Sequence, residues 1–412
     1  MSQLLPFRAY RPKQVLAAKV ASVPYDVINT EEARELAKGN AFSFLHVGRP
    51  EIDLPADVDI HDAKVYAKGV ENLKNLIKED VLAQDGRPCL YVYQQRMGDH
   101  VQAGLVGLCS VKEYEQDLIK KHELTRKDKE DDRTRHVTEQ NANSEPVFLA
   151  YRAVPYIDHI VDDTRKKKPA IDIVSEDGIG HTVWVIDDER TILELVILFN
   201  GVPALYVADG HHRTAAAARY GQARRHANPR PWGGESYESF MAVVFPHDQL
   251  QIMDYNRVVK DLNGLDKAAF LAEVGERFEI APAESRSPKL PCTFGMFLDG
   301  QWYTLKAKPG TFPSDDPVRQ LDVSILQENL LAPVLGIQDP RTDTRIDFVG
   351  GIRGMEELEK RVKKGWAVAF SLYPTSLTQL MSVADAGKIM PPKSTWFEPK
   401  LRSGLIVRLY ED

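Results

Sequence analysis

The stretch with the most chemical content is Leu205-Tyr-Val-Ala-Asp-Gly-His-His-Arg-Thr-Ala-Ala-Ala217. A short apolar strand ends in Asp209-Gly210, and an alanine-rich helix over 214–220 follows at once. A helix N-terminus presents free backbone N–H groups and the positive end of its dipole, a natural seat for phosphate. Gly210 lets the backbone approach a ligand closely. Arg213 offers a planar fork of donors suited to phosphate oxygens, and Thr214 is counted with it. Asp209 can hold Mg²⁺ or cap the helix. His211 and His212 can donate hydrogen bonds to phosphate or move protons. Two adjacent histidines and an arginine at a strand-to-helix turn are an expensive choice for packing alone. The residue types specify an anion, best a phosphate, and do not name a reaction.

The rest of the chain must position that turn. Its 412 residues correspond to two or three domains of roughly 150 residues, each able to bury a core. The formal charge is -7, from 53 Lys+Arg against 60 Asp+Glu, which argues against a general nucleic-acid binder. Cys89, Cys109 and Cys292 are far apart and form no CxxC pair, so neither a disulfide framework nor a structural zinc site is expected. The first residues lack the apolar core of a signal peptide. The apolar stretches at 192–199 and 366–373 fall well short of the ~20 residues a membrane helix needs. A cytoplasmic protein is expected, with a small-molecule substrate and no membrane.

Asn29-Thr30-Glu31-Glu32 reads as the cap and first turn of a helix to Lys38, stopped by Gly39. A second helix is expected over about 60–79, and a hairpin around Met97-Gly98-Asp99. Residues 119–136 are highly charged, 161–170 read as an exposed connection, and 221–238 as a polar loop. In the second half, Asp299-Gly300 is the clearest hairpin signal. Helices are expected at about 320–331 and 355–363, then a strand at 366–372.

The Asp-Gly-His-His-Arg turn resembles the phosphate-binding turn of the ParB/sulfiredoxin-like superfamily, and within it the free-serine kinases, which phosphorylate L-serine with ADP or ATP. His122-Glu123 resembles the kinases' His-Glu at the start of a helix, and Pro392-Lys393-Ser394-Thr395 their Pro-Lys-Thr-Thr loop. The kinase resemblance covers about 105–412. The whole chain also resembles the DUF1015 family, through Ser22-Val-Pro-Tyr-Asp-Val27, the same turn, and the segment 391–400.

The resemblance implies a mixed α/β, α+β fold: an N-terminal family-specific α/β segment at 1–100, a ParB/sulfiredoxin-like phosphate-binding region at 101–247, and a C-terminal α+β domain at 248–412. It implies a nucleotide-dependent kinase acting on the hydroxyl of free L-serine or a similar metabolite, with ATP or ADP and Mg²⁺. Glu123 would take the hydroxyl proton, with Asp209, His211 and His212 also catalytic and Asp209 holding the metal. Gly210, His211, His212, Arg213, Thr214, Lys393, Ser394 and Thr395 would bind phosphate. Asn256 and Arg257 would contact substrate. The rival from another class is a non-catalytic nucleotide-binding switch of the ParB-like type. A sulfiredoxin-like reaction ranks last, because the turn lacks the cysteine that reaction needs. Tyr25, Asp26, His46 and Arg49 read more readily as structural than as site residues.

Overall fold

In the computed structural model, which describes residues 2–411, strand Leu205–Asp209 lies one place from the edge of an eight-stranded mixed sheet. From that edge the order is Ile119–Lys120, Leu205–Asp209, Val147–Tyr151, Ser239–Pro246, His100–Ser110, Leu90–Met97, Gly180–Ile186 and Ile171–Val174. Leu205–Asp209 runs parallel to Ile119–Lys120 and antiparallel to Val147–Tyr151. The expected hairpin is present, with Leu90–Met97 paired antiparallel to His100–Ser110. Val92, Leu105, Leu149, Leu205, Val207 and Phe199 belong to one buried cluster on this sheet. Each such side chain stabilises the fold by about 1.5–3 kcal/mol on burial.

The chain divides into two compact units, Met1–Leu250 with Pro399–Asp412, and Gln251–Glu398. Residues 1–100, read from the sequence as a separate segment, contribute Leu90–Met97 as an interior strand of the same sheet. The last residues, read as part of the C-terminal domain, return to the first unit. There Val407 exchanges backbone hydrogen bonds with Tyr10, and Arg408–Leu409 pairs with Ala142–Asn143.

Local rules explain most of the helices. Thr30–Ala37 begins with a full capping box between Asn29 and Glu32. The expected helix over about 60–79 is Ala63–Lys78, with the Asp62 side chain accepting from the Lys64 N–H. Two expectations need correction. Residues 161–170 are not simply a connection, because helix Pro155–Arg165 runs into them and buries Ile157, Val161 and Thr164 at helical spacing. The helix after the turn is also longer than expected. It starts at His211, not 214, and runs to Ala227, seven residues into the expected polar loop.

The second unit carries a six-stranded antiparallel sheet in the order Phe278–Pro282, Gln301–Ala307, Thr293–Leu298, Val368–Leu372, Tyr255–Val259 and Ile346–Gly350. Its hairpin turns through Asp299 and Gly300, at φ 50° and 79°. That pair of left-handed residues matches the twist of the flanking strands. The helix expected over about 320–331 is Asp322–Leu326 followed by a π-helical turn, Gln327–Leu331. Helix Met355–Lys363 and strand Val368–Leu372 lie close to where they were expected.

Candidate functional site

Two neighbouring parallel strands run toward the same end of the sheet, with Leu205 in register with Ile119 and Tyr206 with Lys120, and Leu205–Asp209 continuing three residues past that pairing. Their carboxyl ends therefore release two chain segments at the same place, the usual position for a site in a sheet with parallel strands. One segment is the 121–126 loop, holding His122 and Glu123. The other is Gly210 and the first turn of helix His211–Ala227.

Gly210 is the N-cap of that helix, with φ 89° and no side chain to close the first turn. Its left-handed conformation is one that glycine adopts without strain. The helix is 17 residues long, so its first-turn N–H groups carry a full dipole end. His211 and His212 are thus themselves in that first turn.

Asp209 accepts the Gly210 N–H at 2.8 Å and the Lys400 ammonium at 2.9 Å. Burial alone would raise its carboxyl, but Lys400 and Arg213 outweigh burial and hold it well below the usual range. With both oxygens engaged by donors of the chain itself, Asp209 is badly placed to hold Mg²⁺. The metal role expected for it from the sequence does not fit its surroundings.

Arg213 is buried. Its Nη1 donates to the Pro146 carbonyl at 2.8 Å and its Nη2 to Asp26 at 3.1 Å, while Nε has no partner. Burial would lower its pKa, but Asp26, Glu145 and Asp209 raise it further. The fork expected to grip phosphate is therefore largely spent on bracing the turn. Thr214 is spent as well, since its hydroxyl donates back to the Gly210 carbonyl at 3.0 Å.

His212 is half-buried, and its Nε2 accepts the Arg126 N–H at 3.0 Å. Burial lowers its pKa, in keeping with a ring nitrogen that accepts. His211 and His122 are buried and meet edge to face, with ring centroids 4.5 Å apart. Burial pushes His122 down to about 4, against a smaller opposing pull from the Val207 backbone and the Asp209 charge. Burial also holds His211 well below the ordinary value. Glu123 is exposed along its length, yet its carboxylate lies within 4.8 Å of ring nitrogens of both histidines. It sits in the loop ahead of helix Lys127–Gln140, not at a helix start as the sequence suggested.

The structure adds residues that the sequence reading left outside the site. Asp26 pairs with Arg213, and the Tyr25 ring lies 3.9 Å from the Arg133 guanidinium carbon. Arg49 donates to the Tyr25 carbonyl at 3.0 Å and so holds this turn in place. Glu145 is raised by burial, opposed by Arg213 and Arg133. Lys400 arrives from the returning C-terminal segment, and its carbonyl accepts from Gln95 at 2.8 Å. The one sequence signal for Lys400 was its place in the family-like segment 391–400.

The family model described as "Protein of unknown function (DUF1015)" matches residues 4–324. The chain belongs to the DUF1015 family. A comparison with curated proteins finds no match. Solved structures similar to this DUF1015 chain include a conserved hypothetical protein from Pyrococcus furiosus, at 13% identity and TM-score 0.37, covering 74% of this chain and 95% of that one. Another is a free serine kinase in complex with AMP, at 12% identity and TM-score 0.36, covering 73% and 92%. A third is SbnI with C-terminal truncation from Staphylococcus aureus, at 11% identity and TM-score 0.39, covering 74% and 87%. Likeness this distant carries no functional argument. Among the described residues of the DUF1015 chain, no helix is long and apolar enough to cross a membrane.

The remaining expected residues of the DUF1015 chain lie in the second unit. Arg257 is buried, and its two terminal nitrogens donate to the Tyr255 carbonyl and, at 3.0 Å, to the Lys393 carbonyl. Burial pushes its pKa down to about 10. Lys393 is exposed in a left-handed turn at φ 58°, with its ammonium 5.6 Å from the Tyr255 ring centroid. Two expectations fail on availability. The Asn256 amide is fully buried between Asp254 and the Leu372 N–H, and the Ser394 hydroxyl donates to the Pro391 carbonyl at 2.6 Å. Both hold local structure. Thr395 is partly exposed beside them.

Proposed function

We propose that this protein is a nucleotide-dependent phosphotransferase, passing a phosphoryl group from ATP or ADP to the hydroxyl of free L-serine or a similar small metabolite. The observation that carries the reading is the start of helix His211–Ala227. It springs directly from a sheet strand, its cap has no side chain, and the Glu123 carboxylate lies beside its first residue.

In this reading the first-turn N–H groups cradle the transferring phosphate and neutralise charge as the bond to the leaving nucleotide breaks. Arg213 braces the turn through Pro146 and Asp26. The substrate hydroxyl oxygen attacks the terminal phosphorus, its proton passes to Glu123, and the bond to the leaving phosphate opens. ATP leaves as ADP, and ADP as AMP. Magnesium is carried by the nucleotide's own phosphates, as is common where the protein supplies few carboxylates. Arg257 and Lys393 are assigned to an anionic group of a ligand, because Arg257 has no carboxylate partner among the described residues.

The test supplies ATP or ADP, Mg²⁺ and a panel of hydroxylated metabolites, read by phosphorus NMR. Phosphoserine or another phosphate monoester is expected. Glu123→Gln should cut turnover by about 10²–10⁴-fold with nucleotide affinity little changed, the scale of a lost general base. Nucleotide binding with no transfer to any acceptor would favour the switch reading, in which the ligand acts on the Asp209–Lys400 pair. Absence of nucleotide binding would defeat both.

A further inference from the structure

Three buried ring nitrogens at the ends of the parallel strands make no well-formed hydrogen bond, with the Val207 backbone near His122 but poorly aligned. Both nitrogens of His122 and Nε2 of His211 are buried with no hydrogen bond of proper geometry. Buried imidazole nitrogens normally find a donor or acceptor, and leaving them bare is costly. Their surroundings are not generally apolar. The Glu123 carboxylate lies close by, and ligand atoms of His122, Glu123 and His211 all fall within 4.8 Å of one another.

We infer that His122, His211 and Glu123 bind a divalent first-row transition-metal ion. Two imidazoles and one carboxylate are the donor set such ions favour, whereas Mg²⁺ prefers oxygen alone. Two ligands about 2.1 Å from one tetrahedral ion stand about 3.4 Å apart, so closing the site takes side-chain adjustments of about 1 Å. Glu123 is the exposed member of the three, so its carboxylate can move toward the buried rings. Asp209 lies near enough to favour positive charge at both histidines. Three protein ligands leave a coordination position for water or an anion, the pattern of a reactive site, not a closed structural one.

The inference does not depend on phosphoryl transfer. It does claim the carboxylate that the kinase reading uses as proton acceptor, and the two roles separate experimentally. The full chain is stripped with a chelator and titrated with Zn²⁺ without nucleotide, and bound metal is counted by mass spectrometry after dialysis. Co²⁺ is used in parallel for its visible absorption. The expected result is one Zn²⁺ per chain, retained in a large excess of Mg²⁺, with Co²⁺ bands of nitrogen–oxygen coordination. Glu123→Gln and His211→Asn should each weaken Zn²⁺ binding at least 10-fold. Because Glu123 is exposed, Glu123→Gln tests the site even if His211→Asn folds poorly. Substoichiometric binding, displacement by Mg²⁺, or unchanged affinity in Glu123→Gln would overturn the inference. None of these results measures turnover, so the kinase reading stands or falls separately.

Discussion

Arg213 and Arg257 are both buried, at 8% and 3% exposure, yet they meet opposite electrostatic surroundings. Arg213, in the first unit, faces Asp26, Glu145 and Asp209, and its pKa is raised despite burial. Arg257, in the second unit, has two carbonyls and no carboxylate among the described residues, and burial pushes it down to about 10. The same contrast recurs with acids. Asp209 is held by Lys400, whereas buried Asp322 has the Cys292 N–H and no cation among the described residues. The charges of Arg213 and Asp209 are compensated from within and fix a shape. Those of Arg257 and Asp322 are left short of partners, and such groups respond most to a ligand or to pH.

The largest expected effect tests the compensated side. Arg213→Ala removes the partner of Asp26 and leaves Glu145 and Asp209 with less positive charge around them. Breaking a buried pair costs about 3–5 kcal/mol, and the lower end applies because Asp26 is 36% exposed. Urea denaturation followed by circular dichroism measures it. A loss below about 1 kcal/mol would mean that Arg213 braces nothing and is free for a ligand after all.

Next in size is a pH effect of opposite sign in the two units. Burial pushes the Asp322 carboxyl up to about 7, with the Cys292 N–H opposing. Between about pH 4 and 7 the folded chain therefore holds a proton that the unfolded chain has lost. Stability from this group falls as pH rises through that window, by about 1.4 kcal/mol per unit at most. Asp322→Asn, neutral throughout, should be more stable than the native chain at pH 8, by about 1–3 kcal/mol, and nearly equal to it at pH 4. His122 in the first unit runs the other way. Its folded pKa near 4 lies below the unfolded value, so its share of stability is lost as pH falls from about 6.5 to 4. Parallel stability curves for Asp322→Asn and its parent at all pH values would remove Asp322 from the contrast.

Legibility followed how local each feature was. The 205–213 turn, the Asn29 capping box and the Asp299-Gly300 hairpin announce themselves within a few residues. Helix Pro155–Arg165 was obscured by the charges of its last turns, although Ile157, Val161 and Thr164 keep helical spacing. The joining of His122 to His211 depends on a two-residue strand, Ile119–Lys120, too short to give any pattern of its own. Asp26 is 187 positions from Arg213, and Lys400 is 191 positions from Asp209. No spacing rule reaches across such distances. The sequence could name Arg213 and Asp209 as charged, but not that each was already paired.

The smallest expected change is the most pointed. Arg257→Met takes away a guanidinium whose burial is compensated by two carbonyls and the face of the Phe348 ring, 5.3 Å from its centroid, with no carboxylate among the described residues. The lost hydrogen bonds are worth about 1 kcal/mol each, and relief of the buried charge offsets them, while methionine fills much of the space. Net stability without ligand should therefore shift by no more than about 1 kcal/mol, in contrast to Arg213→Ala. The difference lies in the response to anions. Inorganic phosphate stabilises most proteins slightly by exclusion from their surfaces, so the native chain and the variant must be titrated together. An anion bound at Arg257 adds a saturating term, about 2.7 kcal/mol at 100 times its dissociation constant, that the variant lacks. Matching melting curves at every phosphate and nucleotide concentration would show that Arg257 serves no anion. A loss of 3 kcal/mol or more in phosphate-free buffer, on the ~3–5 kcal/mol scale of a broken buried pair, would make it a structural brace like Arg213 and erase the contrast between the units.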